Sequence, residues 1–318
     1  NLWNNFGFMV WGAMAYYVTH NFWLSLGLSF FMLLYTLILA EIQADRWSDY
    51  YGVKNATVCS LHNIEQTIPA ILLDPLWNLL GLNKVKMTPS AFKDKLGVFG
   101  EPTTLGILLG FIIGVLGNLK DLGTLQAWGQ ILQFSIQLAA VMTIFPLVTN
   151  VFAKAFTPLA DEIDKNRKQE SQAEGKEIDK INDKKRWFLA VDDGVGYGEP
   201  ATIIAGVILI PIMVLIAFLL PGNKTLPIVD LISLPFMVES IVAITRGNIL
   251  KVIANGIVWF SLGLYASSWL GTIYTGAVSH YGAAIPAGVV LITSFNLIAR
   301  PMNALVFAAF ISQNPVWI

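Results

Sequence analysis

Apolar residues run along this chain in blocks longer than a soluble domain uses, with the polar residues gathered in the gaps. Residues 6–19 and 22–40 form two apolar arms joined by His20-Asn21, the pattern of a helical hairpin. A helix of about 20 apolar residues crosses a bilayer. The stretches 122–153, 201–223 and 252–299 hold no Asp, Glu, Lys or Arg. Membrane spans are therefore predicted at 102–119, 122–152, 201–220, 252–270 and 283–299, with a last apolar run at 302–311. Pro146 is the expected break in the long 122–152 stretch, because proline removes a helical hydrogen bond. Gly106, Gly110 and Gly114 recur every fourth residue, which puts small residues on one helix face and predicts close helix packing.

Two further stretches are apolar but interrupted. Residues 56–82 contain His62, Asn63, Glu65, Gln66, Pro69, Asp74 and Pro75, and residues 226–244 contain Asp230, Pro235 and Glu239. Irregular backbone at membrane depth survives only where it is buried in protein or lines a watery cavity. Both stretches are read as broken, re-entrant elements. The expected fold is all-α: a polytopic membrane protein with an N-terminal membrane half (1–153), a charged loop (154–186) and a C-terminal membrane half (187–318). Basic residues mark cytoplasmic loops, which places 41–54, 84–95 and 154–186 inside.

Composition sharpens this. Charged residues make up 13% of the chain against about 25% in soluble domains, and the mean hydropathy is +0.62. Residues 161–186 alone carry eight acidic and eight basic side chains. A net charge of −1 gives no basic field for nucleic acid. One cysteine, Cys59, excludes an internal disulfide and a cysteine-rich metal site. A soluble enzyme and a disordered chain are excluded with them. The sequence lacks the glycine-lysine phosphate loop of ATPases, the zinc-binding His-Glu-xx-His and the Gly-x-Ser-x-Gly nucleophile. No catalytic residue, cofactor or metal is expected, and any transport must draw on an ion gradient or a separate protein.

The candidate chemistry is that of ligand binding. Gly100-Glu101-Pro102 and Gly198-Glu199-Pro200 each stand where a turn enters an apolar helix. Either copy alone reads as a helix start, with the acid near the positive end of the dipole and proline in the first turn. Repetition points further, because transporters are often built from two related halves with the site between them. Glu101 and Glu199 could then accept hydroxyl hydrogen bonds from a polyol. His62 and Gln66, four apart, project from one helix face, and with Asn63 they offer donors and acceptors suited to a sugar-like ligand. The bland reading of these residues is a set of satisfied polar groups between helices. Glu65, Asp193, Asp230 and Glu239 form a second tier. An ionisable group inside a bilayer defaults to a functional role, although Asp230 and Glu239 could instead lie near an interface or pair with Arg246. Asp192-Asp193 and the glycines after them read as a flexible turn leading to Glu199.

Phe99-Gly-Glu-Pro-Thr-Thr-Leu-Gly, Ile-Ala-Phe-Leu-Leu-Pro-Gly-Asn at 216–223 and Thr-Arg-Gly-Asn at 245–248 resemble the galactitol-type IIC permease of the bacterial sugar phosphotransferase system. The likeness covers residues 1 to about 271. Family chains are longer at the N-terminus, so the first spans are expected to be missing here. The resemblance implies a homodimeric elevator-type transporter in the bacterial cytoplasmic membrane, with a scaffold, a moving core and inverted repeats. It implies a polyol such as galactitol lined by His62, Gln66, Glu101 and Glu199, and phosphorylated IIB and IIA subunits as partners. Departures around residues 57–62 leave the identity of the polyol open. The competing classes are a proton-coupled secondary transporter, with Glu101 or Glu199 carrying the proton, and a membrane scaffold that binds no ligand.

Overall fold

A computed structural model describes residues 6–85, 87–89, 91, 94, 97–173, 188–227, 230–285 and 287–318. The expected N-terminal hairpin forms from α1 (Phe6–Thr19) and α2 (Phe22–Tyr51). Asn21 caps α2 by accepting from Leu24 N at 3.1 Å. The polar residues after position 40 do not stop this helix. It runs to Tyr51 and ends where Gly52 takes a left-handed conformation, φ 70°, which glycine adopts without a side-chain clash.

The interrupted stretches are broken helices. The first consists of strand β1 (Ala56–Val58), a single turn α3 (Leu61–Ile64), a break at Glu65-Gln66, and α4 (Thr67–Leu79). Then come α5 (Pro102–Gly117) and α6 (Leu125–Ala173). Strand β2 (Leu189–Val191) leads through a short turn to α7 (Pro200–Leu219). The second broken stretch is a 3-10 turn at Asp230–Ser233, α8 (Leu234–Met237) and α9 (Glu239–Thr245). The chain closes with α10 (Ile249–His280), α11 (Phe295–Ile298) and α12 (Pro301–Ile311).

Among the described residues four helical stretches are long and apolar enough to cross a membrane: Phe22–Tyr51, Leu125–Ile144, Pro200–Leu219 and Ile249–His280. The protein is a mostly helical membrane protein. Three expectations need correction. Residues 283–299 are not a span. Gly282 and Gly288 hold φ values of 90° and 87°, and the β-branched run after them favours extended backbone. That backbone folds along α10, where Thr275 Oγ1 accepts from Ile292 N at 2.8 Å and donates to Ile292 O at 3.1 Å. Helix α6 is continuous through position 146 and runs 49 residues. At 1.5 Å per residue it extends about 70 Å, so it carries the chain out of the apolar stretch and into the charged one. The rest of that charged segment, 174–186, lies outside the described residues. Helix α5 has 16 residues, about 24 Å at the same rise, and is shorter than the bilayer core.

The glycine repeat on α5 does what its spacing predicts. A Cβ on Gly106 would meet Ala139 Cα at 2.7 Å, one on Gly110 would meet Ser135 Cα at 2.6 Å, and one on Gly114 would meet Ile131 Cα at 3.1 Å. The partner numbers fall as the glycine numbers rise, so α5 and α6 run antiparallel with their backbones in contact. Gly110→Val should cost about 1–3 kcal/mol, because the clash is with backbone and cannot be relieved by a rotamer. Thermal unfolding in detergent, followed by tryptophan emission, measures it.

The main core joins α7 to α9 and α10 around Met213, Leu234, Ile241, Val252 and Phe260. A second cluster packs the α1–α2 hairpin against α10 and α12.

Candidate ligand-binding site

The all-α expectation missed a two-stranded sheet that aligns the site. β1 and β2 pair in parallel with Ala56 opposite Leu189, Thr57 opposite Ala190 and Val58 opposite Val191. Leu189 N donates to Asn55 O at 2.7 Å and Cys59 N to Val191 O at 3.1 Å, so the pairing extends past both ends of β1. Trp47, Val53 and Val195 bury it. Gln43, fully buried on α2, donates to Val58 O at 3.3 Å and accepts from Thr67 Oγ1 at 2.9 Å. It ties the strand and the start of α4 to one helix.

This register sets His62, four residues beyond Val58, against Asp193, two residues beyond Val191. The His62 Nε2 and Asp193 Oδ2 atoms are in direct contact, both side chains nearly buried. Burial by itself opposes the Asp193 charge; the His62 imidazole outweighs it and holds the carboxyl below the usual carboxylate range. The turn carrying Asp193 is capped by Asp192, whose Oδ1 accepts from Gly194 N at 3.0 Å.

Asn63 joins the two broken stretches directly. Its Nδ2 donates to Phe236 O at 2.6 Å, and its Oδ1 accepts from Ser240 N at 3.1 Å and Ser240 Oγ at 3.0 Å. Tyr197 stacks on Phe236 with ring centroids 3.7 Å apart. Gln66 Nε2 donates to His62 O at 2.8 Å, which leaves its Oε1 buried and without a partner. Glu239 is fully buried, and neither of its carboxylate oxygens has a hydrogen-bond partner. Gly196 lets the turn lie against it: a Cβ there would come within 2.5 Å of Glu239 Oε2, so the carboxylate would have to shift. The Trp47 indole N–H lies near this carboxylate but makes no bond of normal geometry with it.

Glu199 has a structural task. Its Oε2 accepts from Thr202 N at 2.8 Å and Thr202 Oγ1 at 3.0 Å, capping α7, and its Oε1 accepts from Tyr50 OH at 2.8 Å. Tyr51 OH reaches Thr202 Oγ1 at 2.8 Å. Glu101 heads α5 as its N-cap residue, and that helix packs along α6 and touches α7. Asp230 lies apart from the His62 turn's bonds, its Oδ2 accepting from Phe295 N at 2.5 Å. Glu65 faces the start of α12, where its Oε2 accepts from Asn303 N at 3.4 Å. Arg246 is exposed, ends α9 at φ 53°, and forms an ion pair with neither Asp230 nor Glu239. Among the described residues no three His, Cys, Asp or Glu side chains gather in a metal-holding group.

Sequence reasoning named His62, Asn63, Gln66, Asp193 and Glu239, which lie at or against the two breaks, whereas Glu199 caps α7 and Glu101 heads α5. It missed Gln43, Tyr50 and Tyr51. Two tyrosines and a glutamine near the polar end of an apolar helix carried a faint signal, since a buried polar group needs a partner.

A model of the family EIIC-GAT, the PTS system sugar-specific permease component, matches residues 1–288. The chain belongs to this permease family. Similar proteins include the PTS system galactitol-specific EIIC component of Escherichia coli K12, and its counterpart in E. coli O157:H7. Each is 28% identical over 246 residues, which is 77% of this chain and 50% of the relative. A putative permease IIC component of E. coli K12 is 25% identical over 224 residues, 70% of this chain and 47% of that protein. The chain thus spans about half the length of the curated relatives it matches. No solved structure matches it.

Proposed function

We propose that this chain is the membrane permease (IIC) component of a sugar phosphotransferase system that takes up galactitol or a related polyol. It passes the polyol to a phosphorylated IIB subunit, itself charged by IIA, for phosphorylation at the cytoplasmic face. One observation carries the polyol class. The buried atoms left unfilled around the breaks are mostly acceptors, Gln66 Oε1 and both Glu239 oxygens, with the Trp47 N–H as a donor. A polyol brings several O–H donors, each of which can also accept.

In this reading His62, Asn63 and Gln66 form one wall, with Asp193, Glu199 and Glu239 opposite and Glu101 contributed from the head of α5. The protein works as a homodimer in the bacterial cytoplasmic membrane, with the 154–186 loop inside. The two broken stretches sit re-entrantly in related halves and move together as the core of an elevator.

The test uses the full-length protein in membrane vesicles with phosphoenolpyruvate, the general phosphotransfer proteins and the matching IIA and IIB. Phosphoenolpyruvate-dependent formation of galactitol phosphate is expected. Protonophore-sensitive accumulation of free galactitol would instead make it a secondary transporter. Glu101→Gln and Glu199→Gln should each weaken polyol binding without preventing insertion, and in Glu199→Gln the amide oxygen can still accept from Thr202 N. Wild-type affinity in both would return these carboxylates to helix starts alone.

A further inference from the structure

Outside the site lies a denser group of buried polar atoms. Glu65, Arg300 and Asn303 are fully buried. Helix α12 begins at Pro301, and Arg300, its N-cap residue, gives it no side-chain cap. The Glu65 carboxylate arrives there from the break between α3 and α4, accepting from Asn303 N. A carboxylate at a helix N-terminus meets the positive end of the dipole and unpaired N–H groups. The Arg300 guanidinium, buried one residue before that helix, forms no ion pair with Glu65. Its Nε and Nη2 donate to Asn296 O at 3.0 and 2.8 Å, and its Nη1 is unpaired. Glu65 Oε1 and both amide atoms of Asn303 are also buried without partners, and the Trp259 indole N–H lies near the Glu65 carboxyl without a bond of normal geometry.

So imperfectly satisfied a cluster of buried polar groups is a poor source of stability. Replacing buried ionic groups with apolar residues of similar volume is often neutral or stabilising. What this one does is fix a place. Glu65 sits between Ile64 and Gln66, in the turn that presents His62 and Gln66 to the site. Backbone bonds from Asn63 N and Ile64 N to Ser60 O, and from Gln66 N to Asn63 O, hold that turn within itself. Asn63 ties it to α8 and α9, but none of these bonds sets where it stands against α12.

We propose that Glu65 is a positioning residue, one that anchors the 61–66 turn on the start of α12 so that His62 and Gln66 meet the polyol. The proposal rests on the polyol reading above. Its test has one arm independent of any ligand. Wild type, Glu65→Gln and the double replacement Glu65→Met/Arg300→Met are prepared as full-length protein in detergent. Galactitol affinity is read by tryptophan fluorescence. Maleimide labelling of Cys59, half-buried just before the turn, is read by mass spectrometry, and thermal stability is recorded alongside.

Glu65→Gln should raise the Kd for galactitol at least tenfold and label Cys59 several-fold faster. The double variant should keep a near-wild-type thermal midpoint and still bind as weakly as Glu65→Gln. Wild-type affinity in the double variant would overturn the proposal, reducing the two groups to packing. Unchanged Cys59 labelling in both variants would overturn it as well. Should wild type bind no galactitol while Cys59 labelling rises in both variants, the polyol reading fails and the anchoring of the turn stands.

Discussion

On the proposed polyol reading, Asp193→Asn should weaken galactitol binding ten- to a hundredfold while leaving the protein inserted and monodisperse. The carboxylate is buried against His62 and nothing else in the described structure orients that imidazole. A hydrogen bond to a charged group contributes about 1.5–3 kcal/mol, and each 1.4 kcal/mol is about a factor of ten in affinity. An asparagine keeps the size and loses the charge. It can also present its N–H₂ to the ring, which forces the other imidazole tautomer. His62 then turns, and because Gln66 donates to the His62 carbonyl, the disturbance reaches the unfilled Gln66 oxygen. Titration of tryptophan fluorescence with galactitol reads the change, and His62→Ala should lose affinity to a similar extent. Wild-type affinity in both variants would mean that the pair only staples two segments together.

Gly206→Val should lower both stability and transport, by about 3 kcal/mol or more in unfolding free energy. A Cβ on Gly206 would fall directly on Pro235, contacting its Cα, N and Cβ. Proline cannot rotate away, since its ring fixes the backbone. The strain passes to α8, one residue from Phe236, whose carbonyl receives Asn63. The contrast with Gly110→Val is diagnostic. Both variants crowd a helix pair, but the α5–α6 contact does not involve the breaks. Gly110→Val should lower thermal stability with polyol affinity near wild type, and Gly206→Val should lower both. Equal affinity losses in the two would argue that general loosening accounts for the effect.

The long helices were legible because the apolar runs that form α2, α6, α7 and α10 need no partner to be recognised. The two breaks were legible for the opposite reason, as polar residues and prolines inside apolar stretches. Residues 283–299 misled because an apolar run says nothing about backbone, and the left-handed glycines at 282 and 288 forbid the helix. Strands of three residues are too short to show a period of two, so the sheet that aligns His62 with Asp193 left no local trace. Asp193 read as part of a flexible turn because its partner lies 131 positions away. Glu199 was ambiguous in sequence, and in the structure its oxygens have protein donors while those of Glu239 do not.

The pairing of β1 with β2 also sets a clock on biogenesis. Its strands lie 133 residues apart, from Val58 to Val191, and the loop closes only after both have been made. At 5–20 residues per second, the ribosome reaches β2 roughly ten seconds after β1. Through that interval the first broken helix waits without Asp193, Ser240 or the Phe236 carbonyl. Its buried polar side chains must borrow water or neighbouring chains meanwhile. Long-range closure of this kind slows folding, and the exposed His62 turn is where a quality-control protease or a membrane chaperone would find the unfinished permease.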